Sequence, residues 1–273
     1  MDENLTTSTG GTAIAFQTRG RGPGLVIVPG NNRMAHNYDV LAELLSTAFT
    51  VHVMERRGRG ASGPQGEDYQ LEKESTDLSC ILDATGASRV FGHSYGGLIA
   101  LQCARHEPRI ERLAVYEPGV SIGGSLDTSW LPRFEEEEAR GRQATAMAVF
   151  LRGTRLLPFS LPMPLMTVFA QIMLSGSDGR EMRQLMHTTP NEMREIVSHD
   201  SDGAEYAEVQ VPTVLLGGSK SPRYLTDVLG RLAALMPNAR AEIVDSLDHN
   251  APDLNAPEKI AVLLLGFFGD AAQ

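Results

Sequence analysis

The residues with the most specific chemical pattern in this chain are Gly92-His-Ser-Tyr-Gly96. Val90 and Phe91, just before them, are apolar and favour a strand, whereas residues 97–105 are typical of a buried helix. A chain that turns from strand to helix within two or three residues has no room for side chains beside the turn. Glycine two residues before and two residues after Ser94 removes that clash and leaves the serine hydroxyl exposed.

The helix predicted after Ser94 adds a second chemical feature. Its first N–H groups have no partner within the helix, and its positive dipole end points towards the hydroxyl, where negative charge develops during acyl transfer. An ordinary Gly/Ser turn is the plain alternative, because both residue types are common in loops. The strand before the turn and the helix after it favour a nucleophilic serine.

The composition is that of a globular protein of 273 residues with two cysteines and a formal net charge of −10. This charge disfavours a nucleic acid or an anionic membrane as a partner, since no basic patch would offset the field. The first residues lack the basic and apolar segments of a secretory signal, and no apolar run reaches membrane-spanning length. Cys80 and Cys103 lie far apart, without histidines at metal-ligand spacing, so we expect two reduced thiols, no metal and a cytoplasmic protein.

Strands and helices alternate along most of the chain. The pattern predicts a β-hairpin over residues 5–17, and from about residue 121 to residue 206 it is helical and interrupted by prolines. Further apolar strands, most of them followed by a helix, are predicted over residues 25–28, 49–54, 90–91, 113–116, 211–216 and 241–244. Repeated alternation predicts an α/β fold in which helices cover both faces of a mostly parallel sheet.

These features together resemble the α/β-hydrolase superfamily, and in particular its single-domain bacterial members. The resemblance covers nearly the whole chain and rests on Gly92-His-Ser-Tyr-Gly-Gly97, on the loop Glu55-Arg-Arg-Gly-Arg-Gly-Ala-Ser62 and on a late histidine. It implies a core built from residues 1–120 and 207–273, with a helical cap, residues 121–206, inserted between strands 6 and 7. The arginine-rich loop is expected to be solvated, with its arginines bound to neighbouring backbone.

The resemblance also implies a chain order of serine, acid and histidine for the catalytic residues. His249 follows the eighth predicted strand, where the family places the base that activates the serine, here Ser94. The family usually has an aspartate after strand 7, but Ser221 stands at about that position here. Glu117, at the end of strand 6, is the favoured acid, because some members place theirs there. Asp248, or a dyad without an acid, is the alternative.

Two backbone N–H groups are expected to bind the developing oxyanion. One belongs to Tyr95, directly after Ser94. The other belongs to Asn31, which follows Pro29-Gly30 at a point where the family often has His-Gly. The Asn31 side chain either faces the pocket or is a turn asparagine. His93 is expected to point away from Ser94.

The resemblance therefore implies a serine hydrolase that cleaves an ester, thioester or lactone through an acyl-enzyme, without a metal or organic cofactor. The alternatives are a cyclase, lyase or C–C bond-cleaving enzyme of the same fold, and a small-molecule binder without activity. The expected partner is a small-molecule substrate, and formation of a homodimer is left open. Methionines in the cap suggest either a bulky hydrophobic substrate or packing between cap helices. They are Met147, Met163, Met166, Met173, Met182, Met186 and Met193.

Overall fold

The chain is built on eight strands, which form one sheet in residues 2–269, the part that this computed structural model describes. In chain order the strands are β1 (Asp2–Thr7), β2 (Ala13–Gly20), β3 (Gly24–Val28), β4 (Thr50–Met54), β5 (Arg89–His93), β6 (Arg112–Tyr116), β7 (Thr213–Gly218) and β8 (Ala239–Val244). Their spatial order is β1-β2-β4-β3-β5-β6-β7-β8. β1 and β2 pair antiparallel with their neighbours, whereas β3 to β8 run parallel. The predicted mostly parallel sheet is confirmed, and the carboxyl ends of its parallel strands meet at one edge.

Helices cover both faces of this sheet. They are α1 (Asp39–Leu45), α2 (Leu71–Thr85), α3 (Tyr95–Ala104), α4 (Leu131–Ala139), α5 (Gln143–Thr154), α6 (Met163–Met173), α7 (Ser177–Leu185), α8 (Thr189–Ser198), α9 (Arg223–Leu235) and α10 (Pro257–Gly269). One apolar core contains residues of α1 and α10, and a second core contains residues of α2, α3, α9 and the inserted helices.

The central strands are buried on both faces, and β3 illustrates why. Leu25 and Ile27 belong to the core that α1 and α10 cover, whereas Val26 and Val28 belong to the opposite core. Successive side chains of a strand point to opposite faces, so a continuous apolar run is what a doubly covered strand requires. Burial of each of these side chains contributes about 1.5–3 kcal/mol to the free energy of folding. This packing holds in place the strand ends that the site residues follow.

The segment between β6 and β7 holds α4 to α8, which we call the cap. These helices occupy the part of the chain in which the insertion was predicted. Cys80 and Cys103 are both free; the first is half-buried and the second is buried. Within residues 2–269, none of the helices combines the length and apolarity that a membrane span requires.

Candidate active site

Ser94 lies at the turn between β5 and α3, with a backbone φ of 53° and ψ of −122°. A residue other than glycine is strained in such a conformation by about 1–3 kcal/mol. The turn is held because the Ser94 N–H donates to the Tyr116 carbonyl at 2.9 Å. A Cβ atom on Gly96 would lie 2.1 Å from the carbonyl oxygen of Val28, so this position requires glycine. The local sequence therefore places a serine hydroxyl at the carboxyl edge of the sheet.

Two hydrogen bonds connect Ser94 to residues far away in the sequence. Ser94 Oγ lies 3.1 Å from His249 Nε2, and His249 Nδ1 lies 2.7 Å from Glu117 Oε2. A carboxylate only accepts, so the His249 Nδ1–H donates to Glu117 and Nε2 is left to accept from the Ser94 hydroxyl. Glu117 and His249 are buried, and Ser94 is half-buried. The arrangement can take a proton from the serine and hold the resulting imidazolium next to a carboxylate.

The β7 loop, where the family usually has its acid, supports Glu117 instead. Gly218 donates its N–H to Glu117 Oε1 at 2.7 Å, while the hydroxyl of Ser221 makes no hydrogen bond to any described residue. The Asp248 carboxylate accepts hydrogen bonds from the Asn250 N–H and the Asn255 side chain. Of the two candidate acids, Glu117 and Asp248, only Glu117 therefore hydrogen-bonds to the histidine.

His93 makes contacts that the sequence analysis missed. Its ring was expected to point away from Ser94, but it lines the same cavity, and its centroid lies 5.0 Å from that of the His249 ring. His93 Nε2 lies 2.8 Å from the His249 carbonyl, which can only accept, so Nε2 carries the hydrogen. Burial and the neighbouring His249 hold the pKa of His93 well below its ordinary value, so the ring is neutral.

The other nitrogen of His93 continues this chain of hydrogen bonds. Nδ1 of the neutral ring accepts from the Tyr38 hydroxyl at 2.6 Å, and that hydroxyl accepts from the Gly30 N–H at 3.1 Å. Burial raises the pKa of Tyr38, which keeps the hydroxyl protonated. The chain connects the loop after β3 to the backbone of His249. The sequence shows a histidine directly before Ser94, but no motif or spacing in it relates His93 to its partner Tyr38.

The two residues whose N–H groups are expected to bind an oxyanion, Tyr95 and Asn31, are both near Ser94. Tyr95 is the first residue of α3, so the helix does not use its N–H. A Cβ atom on Gly30 would lie 3.1 Å from the Cβ of Ser94, which brings the start of the Asn31 loop beside the serine. The Asn31 side chain donates to Glu192 Oε2 at 2.7 Å. The backbone N–H of Asn31, rather than its side-chain amide, is thus the group left for an oxyanion.

All three arginines of the loop after β4 are buried, so the prediction of a solvated loop is wrong for them, whereas Gly60 and Ala61 are exposed. Arg56 pairs with Glu74 at 2.7 Å, and Arg59 pairs with Glu192 of α8 at 2.7 Å. The prediction that the arginines bind backbone is confirmed, since Arg56 donates to the Gly30 carbonyl at 3.1 Å. Burial alone would raise the pKa of Glu192, but Arg56 and Arg59 outweigh it and hold that pKa below its ordinary value. This network joins the cap to the loops that surround Ser94.

A cavity of about 670 Å³ lies between Ser94 and the cap. Most of its cap side is apolar and is formed by Met147, Phe150, Leu151, Leu156, Leu157, Met173 and Met182; residues 176–179, among them Ser177 and Asp178, complete that side. Its core side is polar and is formed by Asn31, Asn32, Arg33, His36, Asn37, Asn250 and Asp253. Three of the cap methionines line the cavity, whereas Met166, Met186 and Met193 are packed in the core.

One group of side chains has the composition of a metal site. The ligand atoms of Glu72, Glu195 and His199 lie within 4.8 Å of one another, between α2 and α8. Their present contacts explain this proximity, because His199 Nε2 lies 2.9 Å from Glu72 and Glu195 accepts the Leu71 N–H at 2.7 Å. These residues do not line the cavity at Ser94.

Comparison with known proteins identifies relatives of the whole chain. The model of the alpha/beta hydrolase family matches residues 25–263. An alpha/beta hydrolase from Sphaerobacter thermophilus is 32% identical and has a TM-score of 0.81, with 97% of this chain and 100% of that chain covered.

Two relatives with specific names match part of the chain. N-formylmaleamate deformylase from Pseudomonas putida is 34% identical over 110 residues, which are 38% of this chain and 41% of the relative. Pimeloyl-[acyl-carrier protein] methyl ester esterase from Aliivibrio salmonicida is 28% identical over 141 residues, which are 51% of this chain and 48% of the relative. The chain thus spans less than half the length of these curated relatives.

Proposed function

The chain belongs to the alpha/beta hydrolase family, and from this premise we propose that it is a serine hydrolase that cleaves an ester-like bond of a small molecule. The observation that carries the proposal is the pair of hydrogen bonds from Ser94 to His249 and from His249 to Glu117. The relatives named as an esterase and a deformylase support hydrolysis as the reaction.

In the first step His249 Nε2 takes the proton of Ser94 while Oγ attacks the carbonyl carbon of the substrate. The Glu117 carboxylate stabilises the imidazolium and keeps the ring in the correct tautomer. The carbonyl π bond opens to an oxyanion, and the backbone N–H groups of Asn31 and Tyr95 donate to it. Such donors contribute about 2.7–4 kcal/mol each in related chemistry.

The tetrahedral intermediate then collapses to an ester of Ser94. His249 gives its proton to the leaving oxygen, sulfur or nitrogen as the bond to the carbonyl carbon breaks. Water next enters, His249 takes a proton from it, and the hydroxide attacks the acyl-enzyme. Ser94 leaves with the proton that His249 returns, so every proton is accounted for. Each step uses a group of the chain or water, and the mechanism therefore assigns no role to a metal or organic cofactor.

The cavity supports a small molecule with an apolar part as the substrate. Ester, thioester and lactone carbonyls all fit the mechanism, since each has a leaving group that one imidazolium can protonate. Apolar side chains from α5, α6 and α7 form the roof above Ser94, where a hydrocarbon segment gains free energy on leaving water.

The proposal is tested by hydrolysis of p-nitrophenyl butyrate. We expect turnover by the wild-type protein and a loss of at least about 1,000-fold in kcat for Ser94→Ala, because the nucleophile is removed. Ser221→Ala, in the loop after β7, is the control and should retain the wild-type rate. Equal hydrolysis by Ser94→Ala and the wild type would show that another group performs the reaction.

A further inference from the structure

Arg33 is the one arginine or lysine among the described residues that line the cavity. It lies in the loop after β3, close to Gly30 and Asn31, and its side chain keeps 17% of its exposure. Its Nε contacts the carboxylate of Asp253. Within residues 2–269, its terminal nitrogens Nη1 and Nη2 have no hydrogen-bond partner. The cavity therefore contains a cation with unused donors.

Asp253 fixes the direction of this arginine. It belongs to the π-helical turn Ala251–Asn255, which follows His249 within two residues, and its side chain is 1% exposed. Burial raises the pKa of Asp253, and the nearby Arg33 opposes that rise. A buried carboxylate on Nε occupies one edge of the planar guanidinium. The edge formed by Nη1 and Nη2 is left for the cavity.

That edge has the geometry to bind a carboxylate. Its two parallel N–H groups match the two carboxylate oxygens, whereas a lone carbonyl or hydroxyl would use only one of them. The polar wall around Arg33 adds the neutral amides of Asn32, Asn37 and Asn250, which can donate further hydrogen bonds. The cap side is mostly apolar, with Ser177 and Asp178 at the start of α7 as its polar members, so a hydrocarbon segment can connect the carboxylate to the reacting carbonyl along the apolar part.

If the chain is the hydrolase proposed above, we infer that its substrate is an ester-like compound with a carboxylate. Nη1 and Nη2 of Arg33 bind that carboxylate. Arg33 is thus a specificity-determining residue, and Asp253 is a positioning residue that acts through it. Charge-assisted, bidentate binding predicts that the carboxylate ester is preferred over its neutral carboxamide analogue by about 10- to 100-fold.

The test uses matched pairs of esters. On the acyl side, mono-p-nitrophenyl adipate, pimelate and suberate, whose chains are too long to close readily to a cyclic anhydride, are compared with the corresponding carboxamides. On the alcohol side, the butyryl ester of 4-hydroxybenzoate is compared with that of 4-hydroxybenzamide. For at least one pair, the wild-type kcat/KM should favour the carboxylate by about 10-fold or more. No preference in any pair would overturn the inference.

In Arg33→Met the ratio of kcat/KM for the carboxylate ester to that for its carboxamide should fall to about one, because the two donors of the bidentate contact are gone. Since this variant leaves Asp253 buried without its cation, the double variant Arg33→Met/Asp253→Asn is measured as well and should also lose the preference. Arg19→Met is the matched control. Arg19 also pairs with an aspartate, Asp39 at 3.8 Å, its side chain is 19% exposed, and it does not line the cavity. A preference that survives loss of Arg33, or that Arg19→Met removes equally, would contradict the inference.

A binding measurement separates this inference from the proposed function. In the Ser94→Ala background the same esters stay intact, and calorimetry gives the dissociation constant of each member of a pair. We expect tighter binding of the carboxylate by about 10-fold or more, and no difference once Arg33→Met is added. If the wild type turned over none of the esters, the proposed hydrolase function would be wrong, while the binding role of Arg33 would still be tested by calorimetry. If the two members of every pair bound equally, the role of Arg33 would be contradicted and the proposed hydrolase function would be unaffected.

Discussion

At the scale of single residues, the position of the acid depends on backbone geometry. Glu117 directly follows β6 with a φ of 44°, and this bend points its carboxylate along the edge of the sheet towards His249. Gly218 at the end of β7 donates to the other carboxylate oxygen. A longer acidic side chain at the end of strand 6 can thus reach the histidine that an aspartate after strand 7 reaches in other members.

We predict that Glu117→Gln lowers kcat by about 100- to 10,000-fold with a smaller change in KM. The amide cannot stabilise the imidazolium, and its NH₂ group disfavours the tautomer in which Nδ1 of His249 carries the hydrogen. Asp248→Asn is the control, because its carboxylate is bound to the Asn250 N–H and the Asn255 side chain rather than to the histidine. Steady-state kinetics on p-nitrophenyl butyrate give both values. A larger loss for Asp248→Asn would place the acid at Asp248 instead.

The sequence predicted these candidate residues to different extents. Ser94 could be predicted locally, because its glycines are required by the turn itself. Glu117 and His249 needed the order of the strands, which the family resemblance supplied. The contacts of His93 and Arg33 could not be predicted, since their partners Tyr38 and Asp253 lie on other elements and no spacing in the sequence relates them.

At the scale of secondary structure elements, α8 is the part of the cap that is fixed to the core. Glu192 is fully buried and accepts from Arg56, Arg59 and Asn31. A carboxylate can be buried here because two guanidinium groups offset the cost of removing it from water. The same residue therefore links the cap to the Asn31 loop beside Ser94.

We predict that Glu192→Gln lowers the free energy of unfolding by about 3 kcal/mol, because two buried arginines lose their shared counter-charge. Glu136→Gln removes an exposed pair with Arg140 on α4 and should change that free energy by less than about 0.5 kcal/mol. Urea denaturation, followed by far-UV circular dichroism, measures both. Similar small effects for the two variants would mean that the buried network does not stabilise the fold.

The same network explains why one sequence expectation failed. Residues 55–62 contain three arginines and two glycines, a composition that is typical of a solvated loop. Arg56 and Arg59 are buried against Glu192, which lies 133 positions after Arg59. Local composition carries no information about such a partner. By contrast, the alternation of apolar strands and helices predicted the layers of the fold, because each element must bury its own apolar face.

At the scale of the whole molecule, buried histidines link stability to pH. Burial lowers the pKa of His52 to about 4, and it holds that of His93 well below its ordinary value. In an unfolded chain both titrate near 6.5. Stability from these groups is therefore fully present above about pH 6.5 and is lost as the pH falls towards 4, since the unfolded chain then binds protons that the folded protein excludes.

We predict that the free energy of unfolding falls less for His52→Gln than for the wild type between pH 6.5 and pH 5. The difference should be about 1 kcal/mol, a value that includes a reduction for solvent screening near the strand. Comparing each variant with the wild type removes the contribution of the other titrating groups, which both proteins share. His187→Gln, at an exposed position, should follow the wild type. Urea denaturation at the two pH values gives the difference, and parallel curves for His52→Gln and the wild type would contradict the prediction.

The whole sheet is also what assembles the candidate site. Ser94, Glu117 and His249 follow β5, β6 and β8, whose carboxyl ends meet at one edge because these strands are parallel. The most direct test is therefore a mass measurement of the folded protein after treatment with a fluorophosphonate. We predict one adduct, on Ser94, none on Ser94→Ala, and labelling at least about 100-fold slower for His249→Gln, because the base that activates the serine is gone. An unlabelled Ser94 in the folded protein, or labelling at the same rate without His249, would contradict the account.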